Sequence, residues 1–262
     1  MDLGINDRVA VVAASSRGLG RAAAEALAAE GARIALCARD AEALGATAQE
    51  IRGRYGVPVA EQALDVTDYE AVRGFLAEVS ATLGPVSICV TNAGGPPGGK
   101  FADFGPDDWR KAFELNFMST LFMIREVLPG MRAQKWGRIV TITSVSVKQP
   151  IDGLILSNSI RGAVVGLMKS LANEYGGDNV LFNNVCPGNT ATDRLLSLAA
   201  KRAEAAGITR DEMLERMSQA IPLGRPGKPE EFGAVVAFLC SEKASYVTGT
   251  STLIDGGLAK GI

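Results

Sequence analysis

The sequence predicts an α/β fold: a doubly wound parallel sheet of about seven strands with helices on both faces. Three observations carry this expectation. Short apolar runs alternate with helix-forming stretches along the whole chain, at the spacing of repeated strand–helix–strand units. The runs are apolar at nearly every position, as in strands covered on both faces. Small and polar residues gather just after those runs, where sheets of this kind bind ligands.

Val9 to Ala14 is the first expected strand. A glycine-bearing turn follows, Ser15-Ser16-Arg17-Gly18-Leu19-Gly20, and then an alanine-rich helical run from Arg21 to Glu30. Glycine allows close approach of a ligand, and a helix start offers free N–H groups at a positive dipole end. The stretch therefore reads as a diphosphate cradle, or more plainly as a strand-to-helix turn without a ligand. Arg33 to Cys37 is the second strand, with a helix from Asp40 to about Tyr55. Val59 to Leu64 is the third, stopped at Asp65, and Thr67 is placed to cap a helix through Leu83. Val86 to Thr91 is the fourth, running into Asn92-Ala93-Gly94-Gly95-Pro96-Pro97-Gly98-Gly99, which suits neither helix nor strand.

Pro106 opens a long helix that passes Asn116 to Leu128. Arg138 to Thr143 is the fifth strand, ended by Ser144, and a helix spans Leu154 to Tyr175. Val180 to Cys186 is the sixth, broken by Pro187-Gly188. Charged helical stretches cover Thr190 to Gly207 and Thr209 to Ala220, a helix covers Pro229 to Ser241, and Ser251 to Ile254 is the last strand. No linker, repeat or low-complexity block interrupts the chain. One domain is expected over 1–262, with a helical lid at about 190–222.

Composition narrows the chemistry. The chain has 262 residues, 47% hydrophobic and 21% charged, and a formal net charge of −2. There is no basic footprint for nucleic acid. The first residues, MDLGINDR, do not read as a signal peptide, and no apolar run is long enough to cross a membrane, so a cytoplasmic protein is expected. Cys37, Cys89, Cys186 and Cys240 lie far apart in apolar runs and read as reduced core residues. The sequence contains no histidine, which removes Ser-His-Asp and Cys-His nucleophiles and histidine metal sites; no metal is expected. Gly94 to Lys100 fits G-x-x-x-x-G-K, but Phe101 stands where a P-loop needs Ser or Thr, and two prolines remove N–H donors.

Over nearly its full length the chain resembles the short-chain dehydrogenase/reductase family, close to the 3-oxoacyl-carrier-protein reductase branch. The matching pieces stand in order: the Ser15–Gly20 turn, Asp65-Val66, Asn92-Ala93-Gly94, Asn116, Ser144, Pro187-Gly188, Tyr246-Val247-Thr248-Gly249 and Asp255-Gly256-Gly257. The resemblance implies a Rossmann-type fold, a nicotinamide dinucleotide, a small-molecule substrate and a homo-oligomer, commonly a tetramer. It implies that Asp65 and Val66 touch adenine and that Asn92, Ala93 and Gly94 flank the adenosine side. It places Pro187, Gly188, Asn189, Thr190 and Thr192 near the nicotinamide and diphosphate. The helices expected at 107–128 and 154–175 present apolar faces that serve either the assembly or the core.

The family's catalytic set is Asn, Ser, Tyr and Lys, and it maps here onto Asn116, Ser144, Ser157 and Arg161. Ala13-Ala14 also replaces the Thr-Gly that usually opens the phosphate turn, and a turn of slightly different path is expected. No tyrosine restores the motif: four residues after Tyr55, Tyr69, Tyr175 and Tyr246 stand Val59, Arg73, Asn179 and Thr250. Serine is shorter than tyrosine and less acidic, and arginine stays protonated, although Arg161 can still donate to ribose hydroxyls. Three readings follow. A reductase takes its proton from a water held by Ser144, Ser157 and Arg161, or from Lys148 or Asp152. A cofactor-binding protein acts as a sensor or inactive oligomer partner. A lyase or isomerase uses the pocket without net redox. Redox is placed first.

A carboxylate ending the second strand would favour NAD. Ala38 and Arg39 stand there instead, with Arg17 in the phosphate turn. The two cations predict a 2′-phosphate, hence NADP(H) over NAD(H), unless both are simply solvated.

Overall fold

The computed structural model describes residues 1–261. Its strands are β1 (Val9–Ala13), β2 (Arg33–Ala38), β3 (Val59–Ala63), β4 (Val86–Thr91), β5 (Gly137–Ile142), β6 (Val180–Pro187) and β7 (Ser251–Ile254). They form one sheet in the order β3-β2-β1-β4-β5-β6-β7. Every neighbouring pair is parallel. Parallel neighbours require crossovers, and helices supply them: α1 (Gly18–Ala29), α2 (Ala41–Tyr55), α3 (Tyr69–Thr82), α4 (Pro106–Phe113), α5 (Ser119–Ala133), α6 (Ile155–Tyr175), α7 (Asp193–Ala206), α8 (Arg210–Gln219) and α9 (Pro229–Leu239).

The period-2 alternation of a strand divides the core into two layers. Ala10 and Val12 of β1 face Ala24 and Leu27 of α1, Leu44 and Ile51 of α2, and Phe232 and Val236 of α9. Val9, Val11 and Ala13 face Val72, Phe75 and Val79 of α3, Met123 and Val127 of α5, and Val164 and Met168 of α6. Cys240 is buried in the first layer, Cys37 and Cys89 in the second and Cys186 within β6, and all four are free.

Three elements depart from the sequence expectation. Thr67 does not cap α3. Asp68 does, accepting from the Ala71 N–H, while the Thr67 hydroxyl donates to Asp65 Oδ1. The helix expected from Pro106 to Leu128 is interrupted at Glu114–Met118 by a wider π turn. It then runs beyond Leu128 to Ala133 with Pro129 inside it. Proline removes the bond to the carbonyl four residues back, which belongs to Arg125; both residues lie on the exposed side, where water can satisfy that carbonyl.

Candidate active site

The sheet order places the switch point between β1 and β4, where the chain leaves the central strand in opposite directions and a crevice opens beyond the strand ends. The turn after β1 carries positive φ at Ala14 (+47°) and Gly18 (+60°). Ala14 therefore holds a backbone usually left to glycine, with a Cβ where the family's turn has none. Gly20 is indispensable for a different reason. A Cβ there would sit 2.3 Å from the Ala14 carbonyl oxygen and 3.0 Å from that of Ala13. Asn92 Nδ2 reaches Ala14 O at 3.5 Å, tying the turn to the loop after β4.

The start of α1 is open. Arg17 at the N-cap makes no side-chain cap, and the first turn contains no acidic residue. Its N–H groups and positive dipole end remain free of side-chain acceptors, as an anion cradle requires. Gly18 faces Thr192 from across the sheet end, its Cβ position lying 3.7 Å from Thr192 Cγ2. The serines are otherwise engaged. Ser15 is fully buried and its hydroxyl donates to Cys37 O, while the Ser16 carbonyl accepts from Thr47 Oγ1 at 2.9 Å. Leu19 packs into the core.

Beyond β2, Arg39 is exposed, and Arg17 pairs with Asp40 at 2.6 Å. That carboxylate stands one residue past the position that would bind a ribose. It is already occupied, since its other oxygen caps α2 at the Ala43 N–H. Beyond β3, Asp65 holds Thr67 and Val66 is buried.

Beyond β4, the loop from Asn92 leans on the start of α6, with Gly99 N–H donating to Gly153 O at 2.7 Å. Asn116 sits in the π turn. Its Nδ2 donates to Gly94 O at 2.9 Å, and its Oδ1 is buried without a partner. A small polar cavity of about 10 Å³ lies beside it, bounded by Asn92, Thr120, Thr143 and Arg161 among others.

Beyond β5, Ser144 caps a short turn by accepting from the Ser146 N–H. Arg161, buried on α6, points its Nη1 at the last carbonyls of the β5 segment, Ile142 O and Thr143 O, each at 2.8 Å. Burial first, and the charge of Arg194 second, push its pKa down to about 10. Ser157 lies one helical turn earlier on the same face and is also buried. Arg161 thus spends one arm of its guanidinium on main-chain carbonyls.

Beyond β6, Gly188 N–H donates to Ile254 O, and a Cβ there would lie 2.7 Å from that of Asp255. Asn189 O accepts from Gly227 N–H, Ala191 N–H donates to Gly227 O, and Thr192 Oγ1 donates to Thr190 O at 3.3 Å. The segment Pro187–Thr192 is thereby pinned facing the β1 turn.

The structure thus brings the turn, Asn92–Gly94, Asn116, Ser144, Ser157, Arg161 and the segment after β6 to one end of the sheet, the end where the strands finish. The tyrosines are engaged elsewhere. Tyr69 donates to Glu126, Tyr175 packs on Phe182, Tyr55 ends α2 and Tyr246 is fully exposed. Sequence reasoning missed Arg194, whose partner is Pro96 O, 98 residues away; no local spacing signals it. It also missed Thr47, whose hydroxyl steadies the turn.

A parallel sheet in this order, with an uncapped helix start at its switch point, defines a Rossmann-type fold. The enoyl-(acyl carrier protein) reductase family model matches residues 13–259. The 3-oxoacyl-[acyl-carrier-protein] reductase of Aquifex aeolicus is 33% identical over 258 residues, covering 98% of this chain and 100% of that protein. The chain belongs to the short-chain dehydrogenase/reductase family and resembles its 3-oxoacyl-carrier-protein reductase branch. Among solved structures, L-sorbose reductase from Gluconobacter frateurii, complexed with NADPH and L-sorbose, matches with a TM-score of 0.95 and 33% identity over the whole of both chains. An NADPH-bound short-chain oxidoreductase from Pseudomonas aeruginosa, described as containing an atypical catalytic center, matches with a TM-score of 0.88 and 32% identity over 99% of each. No helix among the described residues is long and apolar enough to cross a membrane.

Proposed function

We propose that this chain is an NADP(H)-dependent cytoplasmic oxidoreductase acting on a carbonyl or alcohol substrate through a modified proton transfer. The observation that carries the reading is the convergence of Asn116, Ser144, Ser157 and Arg161 beside an uncapped helix start, with no tyrosine among them. The uncapped α1, the glycine face toward Thr192 and the orphaned Asn116 Oδ1 fit a bound dinucleotide. In this reading the amides of Ser16 to Gly20 hold its diphosphate, Arg17 and Arg39 its 2′-phosphate, Asp65 and Val66 its adenine, Asn92 to Gly94 its ribose side, and Pro187 to Thr192 its nicotinamide half. When bound, NADPH supplies the hydride equivalent that reduces the carbonyl carbon.

The chain's own residues handle the oxygen. The hydroxyls of Ser144 and Ser157 orient it, and Arg161 places a fixed positive charge close by, which favours developing negative charge there. The proton delivered to that oxygen comes from a water held by this group or from Lys148 or Asp152 on the adjoining segment. Helices α7 and α8 form a lid of one domain. A homotetramer is supported by family membership and by an apolar groove of about 320 Å³ between α5 and α6, lined by Leu121, Ile124, Leu128, Leu167 and Leu171.

The test is NADPH consumption against a carbonyl panel, run on the wild type and on Ser157→Tyr with Arg161→Lys. A measurable wild-type rate, raised tenfold or more by the double change, supports a reductase with a rebuilt proton route. No turnover in either protein, with NADPH still bound, replaces this reading with a cofactor sensor or a non-redox enzyme.

A further inference from the structure

Arg194 has no part in holding the cofactor or orienting the carbonyl oxygen. Arg194, near the start of α7, donates from Nη2 to Pro96 O at 3.3 Å. The contact links the segment after β6 to the loop after β4, so the guanidinium spans the mouth of the cleft. The opposite wall makes room for it: a Cβ on Gly95 would lie 2.7 Å from Nη2 and 3.2 Å from Cζ. The same charge reaches the floor of the cleft, where it is felt by Arg161.

Both guanidinium groups lie beyond the ends of the strands, and both bond only to carbonyls: Pro96 O for Arg194, Ile142 O and Thr143 O for Arg161. Many arginines elsewhere find carboxylates, as Arg17 does with Asp40, Arg132 with Asp178 and Arg225 with Glu231, though among the described residues exposed ones such as Arg39 and Arg125 do not. Lys148 adds a third positive charge near the end of β6. Asp255, the carboxylate that also bears on that strand end, is held by the N–H groups of Gly257 and Ala259. Arg161 is buried, whereas Arg194 and Lys148 are exposed at the rim; like charges so gathered repel, and an anion between them relieves this. The guanidinium fork matches a carboxylate with two parallel hydrogen bonds.

We propose that the substrate of the carbonyl site carries a carboxylate and that Arg194 receives it; this rests on the reductase reading. The cofactor's diphosphate is the other available anion, but its cradle lies at Gly18, against Thr192, whereas Arg194 turns to Gly95 and Pro96. The group so placed selects oxo acids over neutral ketones.

The experiment titrates the protein calorimetrically with 2-, 3- and 4-oxo carboxylates, each beside its methyl ester, with and without saturating NADPH. NADPH itself is titrated separately. The wild type is expected to bind at least one acid tenfold or more tighter than its ester. Arg194→Met is expected to erase that difference, with NADPH affinity moved less than threefold, and Arg194→Lys to restore part of it. Equal binding of acid and ester by the wild type, or equal loss of both in Arg194→Met, overturns the proposal. A tenfold loss of NADPH affinity in Arg194→Met also overturns it and assigns the guanidinium to the diphosphate. Failure of the wild type to bind NADPH counts against the reductase reading alone, because the acid–ester comparison without cofactor still reports on Arg194.

Discussion

Gly20→Ala should damage both stability and cofactor binding, because the contact it creates has nowhere to go. The new Cβ would lie 2.3 Å from Ala14 O, 2.9 Å from Ala14 C and 3.0 Å from Ala13 O. All three are backbone atoms, so no rotamer change relieves them. Restoring ordinary contact requires α1 to retreat from β1 by about 1 Å, and α1 carries the buried residues Ala22, Ala23, Ala24, Leu27 and Ala28. Overpacking of this kind costs about 1–3 kcal/mol, and the rigidity of the partners places this case near 3. For a chain of this size that corresponds to a fall of roughly 6–10 °C in Tm. The same retreat displaces the first amides of α1 from the diphosphate proposed to sit on them, so NADPH affinity should fall as well. Calorimetric melting and NADPH titration read the two effects. Gly18→Ala is the comparison: its Cβ meets nothing closer than Thr192 Cγ2 at 3.7 Å, so only the left-handed φ of +60° is penalised, by about 1–2 kcal/mol. A Gly20→Ala protein with unchanged Tm and unchanged NADPH affinity would refute the close-packing argument.

Replacing Arg17 and Arg39 together with Ala should bring the Kd values for NADPH and NADH to within about threefold of each other; retained discrimination would place the 2′-phosphate contact elsewhere. Glu242→Ala should lower stability by about 2 kcal/mol in urea unfolding, because Glu242 accepts from Trp136 Nε1 at 2.6 Å and balances Arg138, which is fully buried with one unpartnered nitrogen. Glu231 is held down to about 2 by hydrogen bonds from Arg225 and then from the Lys228 N–H. A depressed carboxylate stabilises the fold above its ordinary pKa, and that contribution fades as pH falls toward 2. The Tm difference between wild type and Glu231→Gln should therefore be full at pH 6 and shrink below about 4.5.

The alternation that predicts the parallel sheet is legible because each unit is local: an apolar run, a turn, a helical stretch. Strands β4 and β7 fall on the expected residues for that reason, and the turn between β1 and α1 is visible in Ser15–Gly20. What sequence cannot show is set by contacts between distant segments. The π turn at Glu114–Met118 has neither glycine nor proline to announce it; it accompanies the bond from Asn116 to Gly94 O. The sequence lets Arg161 donate to ribose hydroxyls; only the fold shows that one arm also donates to the carbonyls that end the β5 segment, 18 and 19 residues earlier. Asp40 follows Arg39 directly in the sequence, yet only the fold reveals that Arg17 and the α2 cap already occupy it.

Isothermal titration of the wild-type protein with NADPH and with NADH shows whether this cleft holds the proposed cofactor. Saturable one-site binding of NADPH is expected, at least tenfold tighter than that of NADH. Absence of binding by either nucleotide would contradict it.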